Sequence, residues 1–587
     1  MYSDGPGDAM PDQEEPAPSI RNRWGMGVLL VSFLLVIGFV NPVRETGSWS
    51  DDFAYARMVR HLLDTGEYKL DHFAAANLPV QVYLAAGLAK IFGYSLTLLR
   101  VSTLLLVFAG LVSFYHLLQD NGTGEFEAGL LSLTLLGSPL VLYLSFTFMT
   151  DAQFLSWMLV AVLFYSRGIR HCLFVPMFLG SVAAAAAIGT RQFGVALVAG
   201  LMWTWLIGPS RLKKTPHYLT GLILPILTSL WQVSMGLTQP SATQVARFGH
   251  TLAYLHQGVA AVFVESVYRL AMLLEYLGLF LLPLIPVLVF PYVQGVRASG
   301  AAADGLRRWR GPVLVITVSI LLMGFYALSY YWSNGTLRGV LMPSLGWVLG
   351  LRSGVERALL TVATTAGGAL LVVSVCARYL RPGVWQSLSP GETLLISSSA
   401  VMFILNVLYV QFNDTYLTVY IPAALMAAVK ETPRWPRCWR ILHVLACVPV
   451  IALACLWTRS SLVEEEAFWQ AAEEIRLRGV MPSQVAVNVR WNGYHGSFDD
   501  WVAEIGGING IAKYNATDPR SPLHFHRAFD AFVDRRTKAA EYVLQPCCPV
   551  PGDQRQIVKT VTYPSMFFKR KVLYVMRSDS KGSQSPR

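Results

Sequence analysis

Apolar runs long enough to cross a bilayer recur from Trp24 to Trp457 and then stop. About 30 Å of hydrocarbon demands roughly 17 to 25 apolar residues as helix, because in lipid each backbone N–H and C=O must be satisfied within its own segment. Composition agrees: 54% of the 587 residues are hydrophobic and 14% are charged, whereas a water-facing surface needs about a quarter charged. The first run, Trp24 to Val40, is too long for a signal-peptide core and has no small-residue cleavage site behind it, so it reads as a retained helix. The expected fold is an all-α polytopic membrane protein of about thirteen transmembrane helices, closed by a small C-terminal α/β soluble domain.

The net charge of +11 does not point to nucleic acid, since the Lys and Arg sit between apolar runs rather than on a soluble basic face. They orient the chain instead. With the N-terminus cytoplasmic, Arg21 and Arg23, Arg167 and Arg170, Arg211 with Lys213 and Lys214, Arg297 with Arg307 to Arg310, Arg378 with Arg381, and Lys430 with Arg434 to Arg440 all fall inside. The short acidic turn near Asp120 breaks the pattern. An odd helix number then leaves the residues after Thr458 outside. Seven cysteines, five of them in helices or inner loops, form no disulfide framework and no zinc spacing.

Residues 1–22 are polar and rich in Pro, Asp, Glu and Gly, and read as a disordered cytoplasmic tail. The transmembrane domain is assigned to 23–458, with a long outer loop at 41–94 that shows helical patterning over Phe53–Asp64 and Val80–Phe92. An extracytoplasmic soluble domain is assigned to 459–587. It opens with a charged helix near Val463–Arg478, followed by β-rich stretches at Gln484–Val489, Ala540–Gln545, Ile557–Tyr563 and Lys571–Met576. Trp491, Tyr494, His495 and Trp501 read as its core, with sugar stacking as the second reading. His524 and His526 read as solvated rather than as metal ligands.

The chemistry-bearing stretch is Ser50-Asp51-Asp52-Phe53-Ala54-Tyr55-Ala56, directly after the first span. Adjacent carboxylates before a helical segment serve either as a helix N-cap or as reactive groups at the membrane surface. A second acid, in Phe148-Met149-Thr150-Asp151, opens a later span on the same outer side, and two such acids facing one compartment can share a cleft. Outward-facing Arg191, Arg247 and Arg338 are candidate phosphate ligands, because guanidinium contacts oxyanions in bidentate fashion; each also reads as a snorkelling or salt-bridged interface residue.

The order of a first span, an outer Asp-Asp-x-x-Tyr-Ala segment, a helix at Pro79, Gly93 with Arg100, and Met149-Thr150-Asp151 resembles the C-type glycosyltransferases. Within them it is most similar to bacterial relatives of protein O-mannosyltransferases and lipid A aminoarabinose transferases. The resemblance spans the architecture of nearly the whole chain, through short motifs. It implies an integral, multi-pass protein of the cell inner membrane that moves a sugar from a polyprenyl-phosphate donor to a lipid, glycan or protein acceptor on the outer face. It also implies Asp51 as the catalytic acid of the pair, Asp52 where many relatives carry Glu, and Asp151 as the second acid. Tyr55, Gln192 and Tyr416, the last in Phe412-Asn413-Asp414-Thr415-Tyr416, are the donor-groove candidates, and Tyr416 also reads as an interface aromatic. At Asn77-Leu78-Pro79 many relatives have Lys-Pro-Pro, so one phosphate-contacting cation is missing here. Arg100 reads as a structural contact to the long loop.

A phosphate leaving group needs no general acid. What remains is a carboxylate to deprotonate the acceptor hydroxyl and cations to hold phosphate charge as the C1–O bond breaks, with inversion at C1. Burial and the neighbouring Asp52 are expected to raise the proton affinity of Asp51. No cofactor is required by this chemistry, a divalent cation is left open, and no metal ligands are assigned. The alternative is a transporter or flippase of a lipid-linked substrate, which predicts ionisable groups at mid-bilayer, where Glu275 is the main acid. A third reading is a catalytically dead scaffold of envelope assembly, which the intact Asp51 and Asp151 disfavour.

Overall fold

The computed structural model describes residues 24–47, 51–208, 211–285, 317–318, 354–379, 383–409, 414–429, 435–508, 510–511, 523–546, 555–565 and 570–578. The tail expected over residues 1–22, Arg338 and the pair Cys547 and Cys548 lie outside them.

The chain begins with α1 (Trp24–Val40), whose Leu34 and Leu35 are exposed as lipid-facing residues must be. It continues into α2 (Asp52–Thr65) and α3 (Pro79–Phe92), close to the two helical stretches expected within the outer loop. Gly66, in the left-handed conformation at φ 77°, closes α2 through a bond from its N–H to the Leu62 carbonyl. Pro79 opens α3, where its missing N–H costs nothing.

Next come α4 (Leu96–Asp120), α5 (Glu125–Gly137), α6 (Pro139–Ser145), α7 (Thr150–His171), α8 (Phe174–Thr190), α9 (Val195–Ile207), α10 (Arg211–Thr238), α11 (Ala242–Leu255) and α12 (Val259–Phe280). At Ser138-Pro139 the chain bends by 75° between α5 and α6. α7 packs against both α4 and α8, and the backbones come close: a Cβ on Gly110 of α4 would stand 2.8 Å from Ser156 Cα of α7. Later helices are α13 (Gly354–Tyr379), α14 (Pro390–Leu408), α15 (Ile421–Val429) and α16 (Arg437–Leu477).

Among the described residues, five helices are long and apolar enough to cross a membrane, or up to seven if each bent pair counts as one span. Shorter apolar helices such as α1, α3 and α8 accompany them. With broad exposed apolar faces on α1, α8, α9 and α10, this is an integral membrane protein. The count of thirteen is not reached among these residues.

α16 runs 41 residues without a break through Thr458, so no linker separates the membrane part from the downstream domain. The charged helix expected near Val463–Arg478 is its last third. Beyond it lie β1 (Val485–Ala486), α17 (Val489–Tyr494), α18 (Ser497–Glu504), α19 (Leu523–Ala539), β2 (Tyr542–Pro546), β3 (Gln556–Pro564) and β4 (Arg570–Arg577). The sheet order is β1-β2-β4-β3, with β1 parallel to β2 and the other pairs antiparallel; Val543 faces Met576 and Thr560 faces Tyr574. The first strand is shorter than the stretch Gln484–Val489 because Asn488 caps α17, its side chain accepting from Trp491 N at 3.0 Å.

A buried arginine fixes the loop that follows α1. Arg100 of α4 donates to the carbonyls of Pro42 (2.8 Å), Arg44 (3.0 Å), Thr46 (3.0 Å) and Phe146 (2.7 Å), confirming its structural contact to the loop. Glu45 adds a second tether by accepting from Leu96 N at 2.9 Å and Thr97 N at 3.2 Å, the free amides that start α4. Replacing Arg100 with Met leaves the buried carbonyls of Pro42, Thr46 and Phe146 without their donor, while Arg44 O keeps the Thr97 hydroxyl, and we expect a loss of about 3 to 5 kcal/mol. Thermal unfolding of the purified protein in detergent measures it; a melting temperature unchanged from wild type would remove Arg100 from this role.

Candidate active site

A cavity of about 620 Å³ opens where α2, α7, α11 and the segments after α8 and α14 converge. Asp51, Tyr55, Asp151, Arg191, Gln192, Arg247 and Tyr416 all line it, so the fold gathers seven residues picked out from separate stretches of sequence. Leu140, Leu144, Leu237, Phe248 and Trp457 supply its apolar walls.

Asp51 occupies the N-cap position of α2, yet its side chain makes no capping bond and lies in the cavity wall. The N-cap reading therefore holds for the backbone alone. Asp52 is turned to another side. It is buried in a separate small cavity with Thr46, Arg100 and Tyr494, where its charge acts on Arg100. Adjacent residues on a helix project about 100° apart, which sends one acid to each cavity.

One turn along α2, the Tyr55 phenol is buried among all four charged groups of the site. Burial is the largest influence and raises its pKa; Asp51 raises it further, Arg191 and Arg247 oppose this, and the result lies well above the ordinary value. Tyr55 is therefore a protonated hydrogen-bond donor beside Asp51.

Asp151 stands in the first turn of α7, where the helix dipole favours a carboxylate. Arg191, at the C-cap of α8, pairs with Asp151 Oδ1, and its guanidinium lies over the Tyr416 ring at 4.4 Å from the centroid. Asp151 Oδ2 is buried and has no hydrogen-bond partner among the described residues. Arg247 comes from α11, whose entry is fixed by a capping box of Ser241 and Gln244. It donates to Tyr409 and interacts electrostatically with Asp51 and Tyr416. The site thus holds one arginine against each acid, with Tyr416 between.

Position 77, where the resemblance implied a missing cation, is a buried polar junction. Asn77 Nδ2 donates to Gln232 O at 3.2 Å, and Gln244 Nε2 donates to Asn77 Oδ1 at 3.1 Å, tying the segment before α3 to α10 and α11. Gln81 of α3 braces the other side by donating to Phe148 O at 2.7 Å, three residues before Asp151.

The downstream domain braces the same elements. Arg57 of α2 pairs with Asp499 and donates to Gly493 O at 3.1 Å. Phe53 lies so close to Gly493 that a Cβ there would meet its ring at 2.4 Å. Phe73 packs edge-on against Phe498 at 4.8 Å, and Phe498, Trp501 and Val502 form one apolar cluster with Ala242 and Ala246 of α11. The helices bearing Asp51 and Arg247 therefore rest on one support. Trp501 is a core residue of that junction and Trp491 of the cluster beside it, in line with the core reading.

Sequence reasoning missed Tyr409, which anchors Arg247, and the pairs Arg57–Asp71 and Arg57–Asp499. A lone Tyr at the end of an apolar helix carries no local signal, and the ion pairs join segments up to 442 residues apart. Glu275 is buried in α12 and does not line the cavity. Among the described residues no group of three His, Cys, Asp or Glu is placed to hold a metal; the side chains of His524 and His526 lie outside the description.

No family model matches the chain, and no curated protein matches it. Among solved structures it is similar to ArnT from Cupriavidus metallidurans bound to undecaprenyl phosphate, at 13% identity over 96% of this chain and 100% of that one, with a TM-score of 0.40. It is also similar to the archaeal oligosaccharyltransferase AglB from Archaeoglobus fulgidus, solved with an inhibitory peptide and a dolichol-phosphate (14% identity, 89% of this chain and 69% of that one, TM-score 0.44). A third likeness is to arabinosyltransferase EmbB from Mycobacterium smegmatis (14% identity, 83% and 44%, TM-score 0.30). All three have the C-type glycosyltransferase fold, the class that the sequence resembles. At these identities and scores the likeness concerns the course of the chain and bears no conclusion about activity.

The pairing of Asp151 with Arg191 inside an apolar wall gives a direct expectation. Arg191→Ala leaves a buried carboxylate unpaired and lowers stability by about 3 to 5 kcal/mol, whereas adding Asp151→Asn to it recovers a large part of that loss. A double-mutant cycle of melting temperatures reads the coupling, and additive effects of the two changes would refute the pairing.

Proposed function

We propose that this protein is a membrane glycosyltransferase that moves a sugar from a polyprenyl-phosphate donor to an acceptor hydroxyl on the extracytoplasmic side, with inversion at C1. The observation that carries the reading is the cavity itself. It places one carboxylate outside any capping bond, Asp51, beside two arginines and a protonated tyrosine within largely apolar walls. A lipid-linked phosphate needs that combination: apolar surface for the lipid and guanidinium for the phosphate. The motif resemblance supports the same assignment.

In this mechanism Asp51 takes the proton from the acceptor hydroxyl as the oxygen bonds to C1 of the sugar. The bond from C1 to the phosphate oxygen breaks, and the electron pair leaves with the polyprenyl phosphate. Arg247 and Arg191 hold the growing phosphate charge, and the low polarity around them strengthens that attraction. Asp151 orients Arg191 through its ion pair, and Tyr416 keeps the guanidinium plane in place. Tyr55 donates to a donor oxygen or to Asp51. Asp52 belongs with Arg100 as a support of the loop rather than with the reacting atoms.

The test is transfer of labelled sugar from a panel of polyprenyl-phosphate sugars in membranes holding wild type or variants at equal expression. Asp51→Asn is expected to slow transfer by at least about 100-fold, as loss of a general base does, and Arg247→Ala to weaken donor affinity. Equal rates for wild type and Asp51→Asn would dismiss the base assignment. Membranes that flip the lipid-linked sugar without transferring it would move the transporter reading ahead. Running the assay with and without EDTA decides the part played by a divalent cation.

A further inference from the structure

A second cavity, of about 600 Å³, lies between α2, the loop after it and α18 of the downstream domain. It shares α2 with the reaction cavity, and its wall is richer in charged groups. Arg57, Arg60, His61, Lys69, Asp71 and Asp499 face it, while Met58, Leu70 and Val502 of its wall are themselves almost fully buried. No role assigned above uses this space.

The geometry points to a binding site for a neutral, hydroxyl-rich ligand, and we propose that it holds the body of a glycan acceptor. Charge balance is the first reason. Three basic residues, Arg57, Arg60 and Lys69, face three acids, Asp64, Asp71 and Asp499, so neither a polyanion nor a polycation is favoured. Planar Arg and Asp groups side by side both donate to and accept from hydroxyls.

The second reason is order. Arg57 sits between Asp71, at 3.5 Å, and Asp499, and Asp71 is held further by Phe73 N at 2.9 Å. This polar wall is therefore set before a ligand arrives, which lowers the ordering cost of binding. His72 also lines the cavity, and its Nδ1 is buried without a hydrogen-bond partner among the described residues. Tyr494 adds an aromatic ring at one side. The volume falls within the range of small-molecule sites, roughly 300 to 1,000 Å³.

The third reason is position. Along α2 the cleft begins about 9 Å from Asp51 at Arg57 and extends to about 20 Å at Asp64, at 1.5 Å per residue. A ligand lying against this face is thus held by the same helix that carries the proposed base, one to three turns along it and on its opposite face. A lipid tail finds its apolar walls in the other cavity, and a peptide binding through its main chain needs an open strand edge, which this helical wall lacks. The word acceptor rests on the glycosyltransferase reading; glycan binding does not.

The test uses the full chain in lipid nanodiscs. Saturation-transfer NMR is run with neutral trisaccharides (maltotriose, mannotriose, chitotriose), with trigalacturonate and with a mixed-charge hexapeptide. At least one neutral trisaccharide is expected to bind, and R60A/H61A, both on the accessible side of the cleft, to weaken it at least tenfold while undecaprenyl phosphate binding is retained. Absence of neutral trisaccharide binding by wild type, binding unchanged in R60A/H61A, or preference for trigalacturonate or the hexapeptide each overturns the proposal. Trisaccharide binding lost in R60A/H61A, in a protein that transfers no sugar, leaves the glycan site standing and removes the transferase reading. Transfer by wild type without any trisaccharide binding does the reverse.

Discussion

The rest of the site depends on one guanidinium. Arg100 is nearly sealed from solvent and spends its donors on the carbonyls of two segments, 42–46 and 146, that lead into Asp51 and Asp151 respectively. Those carbonyls belong to irregular backbone, which has no ladder of its own to satisfy them. A neutral side chain with one or two donors cannot serve both segments at once. The charge that comes with the solution is met by Asp52 and Glu45, and of the two adjacent acids only Asp51 lines the larger cavity.

From that anchor the polarity of the molecule is divided by one helix. The N-terminal end of α2 enters a cavity with hydrocarbon walls and isolated charges. Its later turns border a cleft in which most side chains are ionic or hydrogen-bonding. Isolated charges within apolar walls are costly to maintain, and here each arginine has an aromatic or carboxylate neighbour that offsets the cost: Tyr416 and Asp151 for Arg191, Tyr409 and Asp51 for Arg247. The divided character of α2 follows from its periodicity, since Asp51 and Tyr55 repeat at one helical turn while Arg57, Arg60, His61 and Asp64 follow the opposite face.

Much of this was legible in the sequence. Apolar run lengths announced the membrane helices, period-two stretches announced three of the four strands nearly to the residue, and the Asp-Asp segment and Met149-Thr150-Asp151 announced the acids. Arg191 and Arg247 were legible as cations beside spans, but their pairing with particular acids was not, because pairing is set by how α7, α8 and α11 pack. The extent of α16 was hidden for a different reason. Hydropathy falls sharply near Thr458, and a change of solvent reads as a boundary even where the backbone hydrogen-bond ladder continues across it. The short first strand was overestimated because Asn488 is a capping residue, and a cap outranks the β propensity of its neighbours.

The contact of Arg57 with Asp499 and Gly493 also sets a chronology. The helix that bears Asp51 emerges from the ribosome early, yet its support is made 442 residues later. At elongation rates of about 5 to 20 residues per second, that interval is roughly 20 to 90 s. Throughout it the Arg57 guanidinium has Asp71 but not Asp499, and Phe73 lacks the ring of Phe498. The nascent chain consequently passes through most of its synthesis with α2 lacking this support, and the contact closes only once residue 499 has been made.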